Sequence, residues 1–228
     1  MARVLFGDIV VDMRNKSGGH VYAKNRSGSY KRTKVTPVNP QTSFQQAQRQ
    51  QLGSFSAAWR GLTELQRQSW ITAAPSFPVT NIFGQPMTLT GANLYVAFNK
   101  NLTNAGGSTI ATAPSPVAIP SLAIDTLAGD VSSTSLGFNI NTATVPAGFA
   151  LMVFATPLVG AGRYFVKNKY RMLGVFTATA NAVDIYTEWT ARFGSLVAGQ
   201  KIYVSCFLVS TVSGQAGVPV NEGCTVTA

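Results

Sequence analysis

The sequence predicts an α+β protein in which an N-terminal basic arm and a small helical unit precede a C-terminal β-sandwich. Three observations predict this fold. Helix-capping motifs precede stretches in which apolar residues recur at helical spacing. Short apolar segments separated by turn residues follow further along the chain. The positive charge is concentrated in the part of the sequence that precedes these short segments. The expected units are residues 1–40 for the arm, 41–104 for the helices, 105–120 for a linker and 121–228 for the sandwich.

The arm is predicted from two short alternating runs on either side of Ser27, Gly28 and Ser29, which are typical of a basic β-hairpin or an extended segment. Pro37 and Pro40 then prevent a helix from starting. The residues expected to bind a partner are the cations, the histidine and the two tyrosines of this stretch: Arg14, Lys16, His20, Tyr22, Lys24, Arg26, Tyr30, Lys31, Arg32 and Lys34.

The positive charge belongs to the first half of the chain. Residues 1–104 contain twelve Lys and Arg against three acidic residues, whereas residues 105–228 contain six against five. Such a block contacts nucleic acid, an acidic protein surface or a membrane, or is a solvated arm. The sequence favours a solvated or protein-contacting arm over DNA contact. It likewise favours cross-strand packing of Tyr22 and Tyr30 over stacking on bases.

Two helix starts carry the same capping motif. Thr42 with Gln45, and Thr63 with Gln66, fit a capping box in which the hydroxyl and the amide satisfy each other's backbone N–H groups. Apolar residues follow each cap at helical spacing: Leu52, Phe55, Trp59 and Leu62 after the first, and Trp70, Ile71 and Ala74 after the second. The pattern predicts a helix pair that ends at Pro75.

A third helix is indicated by Leu94, Phe98 and Leu102 at i, i+4 and i+8. The expected helical core consists of Trp59, Trp70, Leu94 and Phe98. A core this small gains stability from a partner. The stretch 105–120, rich in Gly, Ser, Thr, Ala and Pro, has the composition of a linker.

The C-terminal part is predicted as seven short strands with turn signals between them: 122–124, 135–140, 150–155, 172–177, 182–186, 201–210 and 225–227. This number and spacing are typical of an immunoglobulin or fibronectin type III sandwich. The stretch from Leu196 to Phe207 resembles the tyrosine corner region of fibronectin type III domains. In that motif a tyrosine, here Tyr203, bonds back to the preceding turn.

Cysteine usage and hydropathy indicate the compartment. Cys206 and Cys224 lie in strand-like surroundings, which favours reduced core thiols, although a disulfide between neighbouring strands stays open. The N-terminus lacks a long apolar stretch, and no run approaches the roughly 18 apolar residues of a membrane span. We therefore expect synthesis in the cytoplasm without a cleaved signal, and no membrane partner.

The titratable residues do not form a catalytic motif. His20 is the single histidine, and the eight acidic residues are scattered without a DxD or ExxE pair. The sequence lacks CxxC, HExxH and P-loop motifs, and a metal site would need His20, Cys206 and Cys224 to converge from remote segments. The expectation is a non-enzyme with no catalytic residue, no metal, no cofactor and no small-molecule substrate.

Several spaced motifs carry a family resemblance. Residues 37–42 read PVNPQT and are followed by QQAQR at 45–49, WRGLT at 59–63, QRQSW at 66–70 and TGANL at 90–94. This series, after a glycine-rich basic hairpin, resembles a family of proteins encoded by tailed bacteriophages and prophages. The likeness covers residues 16–102 and implies a virion-associated structural role, without a settled biochemical activity.

The function expected from this resemblance is that of a structural protein of a bacteriophage virion, as a capsid decoration, neck or tail component. It would dock through the basic arm and the helices and project the sandwich. The expected partners are other virion proteins, with a homo-oligomer or an array. One alternative is a nucleic-acid-binding virion protein that uses the basic arm on packaged DNA. A second is a host-surface or carbohydrate adhesion module.

Overall fold

The computed structural model describes residues 2–25, 28–80, 85–177 and 180–228. The protein is mixed α+β, as predicted, and its described residues form four α-helices and several antiparallel sheets. The chain divides into two compact units, residues 1–47 and 48–228. The first unit is a small sheet with extended flanking segments. Among the described residues, the second contains most of the first helix, the other three helices and nine further strands.

The first unit contains a four-stranded antiparallel sheet. Its strands are β1 (Ala2–Arg3), β2 (Asn15–Ser17), β3 (His20–Asn25) and β4 (Gly28–Thr33), in the order β1-β4-β3-β2. The predicted hairpin corresponds to β3 and β4, which pair from His20 with Thr33 to Asn25 with Gly28. Gly28 has a φ of 108°, a conformation that favours glycine. The two flanking strands are too short to give a sequence pattern of their own.

Three helices follow the motifs that predicted them: α1 (Ser43–Gly61), α2 (Glu64–Ala73) and α3 (Gly91–Asn104). At α2 the capping box is complete, because Thr63 Oγ1 accepts from the Gln66 N–H and Gln66 Oε1 accepts from the Thr63 N–H at 2.9 Å. At α1 the Gln45 N–H points to Thr42 Oγ1 at 3.4 Å. The connection between α2 and α3 contains two short paired strands, β5 (Val79–Thr80) and β6 (Pro86–Met87).

The helical core is built around an aromatic cluster. Its buried members are Phe55, Trp70, Ala74, Phe77, Leu94, Tyr95 and Phe98. Tyr95 lies between the two tryptophans, with its ring centroid 5.5 Å from that of Trp59 and 5.4 Å from that of Trp70. The sequence analysis did not single out Tyr95, although it precedes the apolar position Phe98 by three residues on the same helix.

Residues 105–120 contain no helix or strand, but their backbone is bonded to the helices. The Trp70 indole donates to the Ala111 carbonyl at 2.8 Å, and the Ile110 N–H donates to the Asn99 side chain at 2.7 Å. The Val117 N–H donates to the side chain of Gln215, 98 residues away, at 2.9 Å. This segment therefore lies inside the second compact unit.

Seven antiparallel strands and a fourth helix complete the second unit. They are β7 (Ile124–Asp130), β8 (Ser135–Thr144), β9 (Phe149–Ala155), β10 (Arg171–Phe176), β11 (Ala180–Asp184), α4 (Tyr186–Phe193), β12 (Lys201–Ser210) and β13 (Val220–Thr225). One sheet has the order β11-β8-β7, and the other has the order β10-β9-β12-β13. Both contribute to a single hydrophobic core.

Alternation along the strands forms that core. On β12, Ile202, Val204, Cys206 and Leu208 are buried in it, together with alternate residues of β8 and β9. Trp189 of α4 is also fully buried, and its indole donates to the Thr156 carbonyl at 3.0 Å. The helix thereby closes one side of the core.

Three local predictions in this part are wrong. The first strand is at Ile124–Asp130 and the last at Val220–Thr225, whereas 122–124 and 225–227 were predicted. β13 is largely exposed, and in β7 only Gly129 is buried, so alternation did not locate these strands, and pairing with β8 and β12 fixes their bounds. The predicted strand 182–186 runs into α4, whose signal is the helical spacing of Tyr186, Trp189 and Phe193.

The tyrosine corner expected at Tyr203 is also wrong. Its hydroxyl donates to the carbonyl of Arg163 at 2.9 Å, in the loop between β9 and β10, and not to the turn that precedes β12. Tyr203 lies near the start of a late strand, as in the motif. The carbonyl that accepts from its hydroxyl, however, belongs to a residue 40 positions earlier in the chain.

Candidate functional site

The cations of the N-terminal sheet occupy both of its faces. Cross-strand partners share a face, so Lys16 and Arg32, which both pair with Val21, lie on one side of the sheet. Lys31 pairs with Tyr22 and lies on the other side, which Lys24 shares because it is two residues from Tyr22. The sheet therefore has no single basic face. Of the remaining predicted cations, Arg26 lies outside the described residues.

Tyr22 and Tyr30 do not cover each other across the strands, so that expectation is wrong. The register pairs Tyr22 with Lys31 and Tyr30 with Ala23, which places the two rings on opposite faces. The Lys31 Nζ lies 5.8 Å from the centroid of the Tyr22 ring instead. His20 pairs with Thr33 and is half-buried.

Two predicted cations lie outside the strands. The Arg14 Nε donates to the Asp12 carboxylate at 2.8 Å, and both side chains are on the surface. Lys34 directly follows β4, where its backbone N–H donates to the Gly19 carbonyl at 2.8 Å. Arg14 lines the same small pocket as Tyr22 and Lys24.

Exposed apolar residues lie between β1 and β2 and after β4. We define the apolar segments as residues 5–11 and 35–38. Five of their large hydrophobic residues, Leu5, Ile9, Val11, Val35 and Val38, are between 70% and 99% exposed. Sequence reasoning missed them because they follow neither a helical nor a strand period. The available signal was a set of large apolar residues beside a basic block. Exposed apolar groups collected in this way are typical of an interaction site.

The N-terminal unit has no interior of its own. None of its described side chains, at residues 4–24 and 28–47, is buried. Folding to a fixed conformation costs roughly 1–2 kcal/mol of backbone entropy per residue, which buried apolar surface normally offsets. The unit therefore needs another surface against which its apolar segments are buried.

A second candidate site lies in the second unit, in the loop between β9 and β10. We define the aromatic groove by the four aromatic side chains that line it, Tyr164, Phe165, Tyr170 and Tyr203. It has a volume of about 590 Å³. Sequence reasoning missed this site, although residues 163–171 read RYFVKNKYR and combine four cations with three aromatic residues.

Two contacts hold the aromatic groove in shape. The ring of Tyr203 lies against Gly223, where an added Cβ would come within 2.6 Å of ring carbons, so only glycine leaves room for it. The Lys201 ammonium lies 4.2 Å from the centroid of the Tyr164 ring. Burial, with Tyr203 beside it, raises the pKa of Tyr170 above its ordinary value, so the Tyr170 hydroxyl keeps its proton at neutral pH.

The remaining predicted residues have structural positions. Thr63 and Gln66 cap α2, and the Gln45 backbone N–H donates to Thr42 Oγ1 at the start of α1. The predicted helical core residues Trp59, Trp70, Leu94 and Phe98 all contact the aromatic cluster around Tyr95. Cys206 and Cys224 are free thiols. Within the described residues, no three His, Cys, Asp or Glu side chains come together as a metal site would require. No helix among those residues is long and apolar enough to cross a membrane.

Comparison with known proteins leaves the family open. No family model matches the chain, and no curated protein matches it. Two solved structures of OgpA from Akkermansia muciniphila are similar over part of the chain. They are the wild-type protein, with a TM-score of 0.31 and 15% identity, and the catalytically inactive protein in complex with an O-glycopeptide substrate, with a TM-score of 0.30 and 17% identity. Each alignment covers 63% of this chain and 38% of the other, so this chain spans well under half of those proteins.

Proposed function

We propose that the protein is a non-enzymatic structural component of a bacteriophage virion that docks through its N-terminal unit. The proposal rests on the exposure of the apolar segments, in a unit in which none of the described side chains is buried. Burying a Val, Leu or Ile side chain contributes roughly 1.5–3 kcal/mol, so a partner that covers these residues provides the missing core. The motif series of residues 37–94 supports a virion as the setting.

A protein partner fits the N-terminal unit better than packaged DNA. A DNA-binding sheet gathers its cations on the face that meets the phosphates. Here Lys16 and Arg32 lie opposite Lys24 and Lys31. Contact with a phosphate backbone does not stabilise exposed apolar residues such as Leu5, whereas a neighbouring protein subunit can bury them.

The part that projects is proposed to be an immunoglobulin-like sandwich of the fibronectin type III kind. Its first, second and fifth strands form one sheet, and its third, sixth and seventh strands lie together in the other. This division is the one found in immunoglobulin domains. The fourth strand, β10, pairs with the third, β9, and thus joins the larger sheet. A compact sandwich with loops at its ends suits a module on the surface of a particle.

The proposal is tested by incorporation into particles. Phage particles that carry the full chain are purified, and the chain is quantified by mass spectrometry relative to the major capsid protein. One variant replaces Leu5, Ile9 and Val11 by Ser, and the matched variant replaces Lys16, Lys24 and Lys31 by Gln. We expect at least a tenfold loss of the chain from particles for the first variant and near-normal incorporation for the second.

Two results would contradict the proposal. Absence of the unaltered chain from purified particles would exclude a virion role. The opposite pattern, in which only the Gln variant is lost and nuclease treatment releases the unaltered chain, would favour the alternative of an arm that binds DNA.

A further inference from the structure

An aromatic track extends from the aromatic groove across the outer face of the β10-β9-β12-β13 sheet. Tyr203 and Phe207 alternate with the buried residues of β12 and thus face away from the core. Phe154 pairs with Ser205 and lies on the same face, where its ring stacks on Phe207 with centroids 5.7 Å apart. Tyr203 and Phe207 are four residues apart, which is about 13 Å along a strand.

The groove end of the track presents two freely accessible rings. Tyr164 and Phe165 are 75% and 74% exposed, which is unusual for large aromatic residues of a folded unit. The adjacent Val166 is buried and anchors the loop. The Arg171 guanidinium donates to the carbonyls of Asn168 and Tyr170 at 3.1 and 2.8 Å, which fixes the second half of the loop. The backbone that carries the exposed rings is fixed on both sides, by the Tyr203 hydroxyl at the Arg163 carbonyl and by buried Val166.

The loop at the groove end of the track is rich in cations. Of the six Lys and Arg residues in 105–228, five belong to this loop and the adjoining strand ends: Arg163, Lys167, Lys169, Arg171 and Lys201. The residues that line the groove itself include one cation, Lys167, and one acidic residue, Glu222. Cations beside exposed rings suit an anion with flat faces.

We infer that the track binds a single-stranded nucleic acid, with bases stacked on Tyr164 and Phe165 and phosphates beside the lysines. Stacking platforms within a positive groove are the general means by which proteins hold single strands. A duplex does not fit, because its bases present no free faces to the rings. A compact acidic sugar would fill the groove alone, whereas the track continues to Phe154 and Phe207. This site is separate from the N-terminal unit and does not depend on the proposed docking role.

The test measures binding of a fluorescent twelve-residue oligothymidylate to the full chain by anisotropy. All proteins carry Arg14, Lys16, Lys24, Arg26, Lys31, Arg32 and Lys34 as Gln, so that the N-terminal cations contribute little. Stacking on a base is worth about 1–3 kcal/mol. We therefore expect the Tyr164→Ala, Phe165→Ala double variant to bind at least tenfold more weakly. An abasic oligomer with the same number of phosphates should lose affinity to the same extent.

The salt dependence of binding distinguishes the cations that contact phosphate from those that do not. Lys167→Gln should reduce the slope of log affinity against log salt by about 0.7, the value for one phosphate of a single strand. Lys100→Gln, which alters an exposed lysine on α3, should leave the slope unchanged. Circular dichroism checks that each variant is folded.

The inference would be overturned by an absence of measurable oligothymidylate binding, by binding of the abasic oligomer as tight as that of the thymine oligomer, or by full affinity of the double alanine variant. Tighter binding of a sulfated hexasaccharide that depends on Tyr164 and Phe165 would assign the track to an acidic glycan instead. None of these results bears on incorporation into particles, so the two proposals fail independently.

Discussion

The register of two neighbouring strands decides whether Cys206 and Cys224 can form a disulfide. They lie on the adjacent strands β12 and β13, but Cys206 pairs with Val220 and Cys224 pairs with Ile202. The two thiols are thus offset along the ladder, which does not give the close Cβ approach that a disulfide needs. Both are free, as the strand-like surroundings favoured. Burial raises the pKa of the Cys206 thiol to about 12 and also raises the pKa of Cys224.

This pKa predicts a loss of stability at alkaline pH. The unfolded thiol ionises near pH 8.5, whereas the folded Cys206 keeps its proton until about pH 12. The stabilisation is complete below pH 8.5 and is lost as the pH rises toward 12, because only the unfolded state gains from ionisation. Between pH 8 and pH 10.5, the free energy of unfolding measured with urea should fall more for the unaltered protein than for Cys206→Ala. Equal losses in both proteins would contradict the assignment.

At the scale of single elements, the helices follow their sequence signals closely. The caps at Thr42 and Thr63 and the spacing of Leu94, Phe98 and Leu102 are local, so a linear pattern contains them in full. Helix α4 was missed because its apolar positions continue directly from a strand. Strand β7, in which only Gly129 is buried, was misplaced because its bounds depend on pairing with β8 and its residues carry little alternation.

The packing of the helices predicts unequal roles for the two tryptophans. Trp70 is fully buried and contacts Tyr95, Phe98 and the backbone of residue 111, whereas Trp59 is half-buried against Tyr95. Trp70→Ala should cost about 3–5 kcal/mol of unfolding free energy, and Trp59→Ala less than half of that.

Urea unfolding followed by tryptophan fluorescence and circular dichroism measures these differences. Leu65→Ala, at a position 82% exposed on α2, serves as the control and should leave the midpoint unchanged. A larger cost at Trp59 than at Trp70 would mean that the half-buried ring, and not the buried one, supports the helical core.

At the scale of the whole molecule, the units differ from those drawn from composition. A linker was expected at residues 105–120, on the basis of its Gly, Ser, Thr, Ala and Pro content. That segment is bonded to Trp70, Asn99 and Gln215, and the division between compact units falls after Ala47. Composition reports how easily a segment bends, but only its contacts decide whether it is packed.

Limited proteolysis distinguishes these two boundaries. Subtilisin is suited because residues 105–120 contain no Lys or Arg for trypsin. Residues 34–42 are exposed throughout, so we expect the first cuts there and a resistant fragment of about 180 residues, identified by mass spectrometry. A first cut within 105–120 that leaves roughly the last 110 residues would support the linker instead.

The sequence by itself determined the α+β class, the caps and periods of three helices, and the concentration of cations in the first half of the chain. These properties depend on neighbours within a few residues. The tertiary structure alone decided that the N-terminal cations lie on opposite faces, that the Tyr203 hydroxyl bonds Arg163, and that the aromatic groove forms. The groove joins residues 163–170, 203 and 223, and only strand register and loop packing bring segments so far apart in the chain into contact.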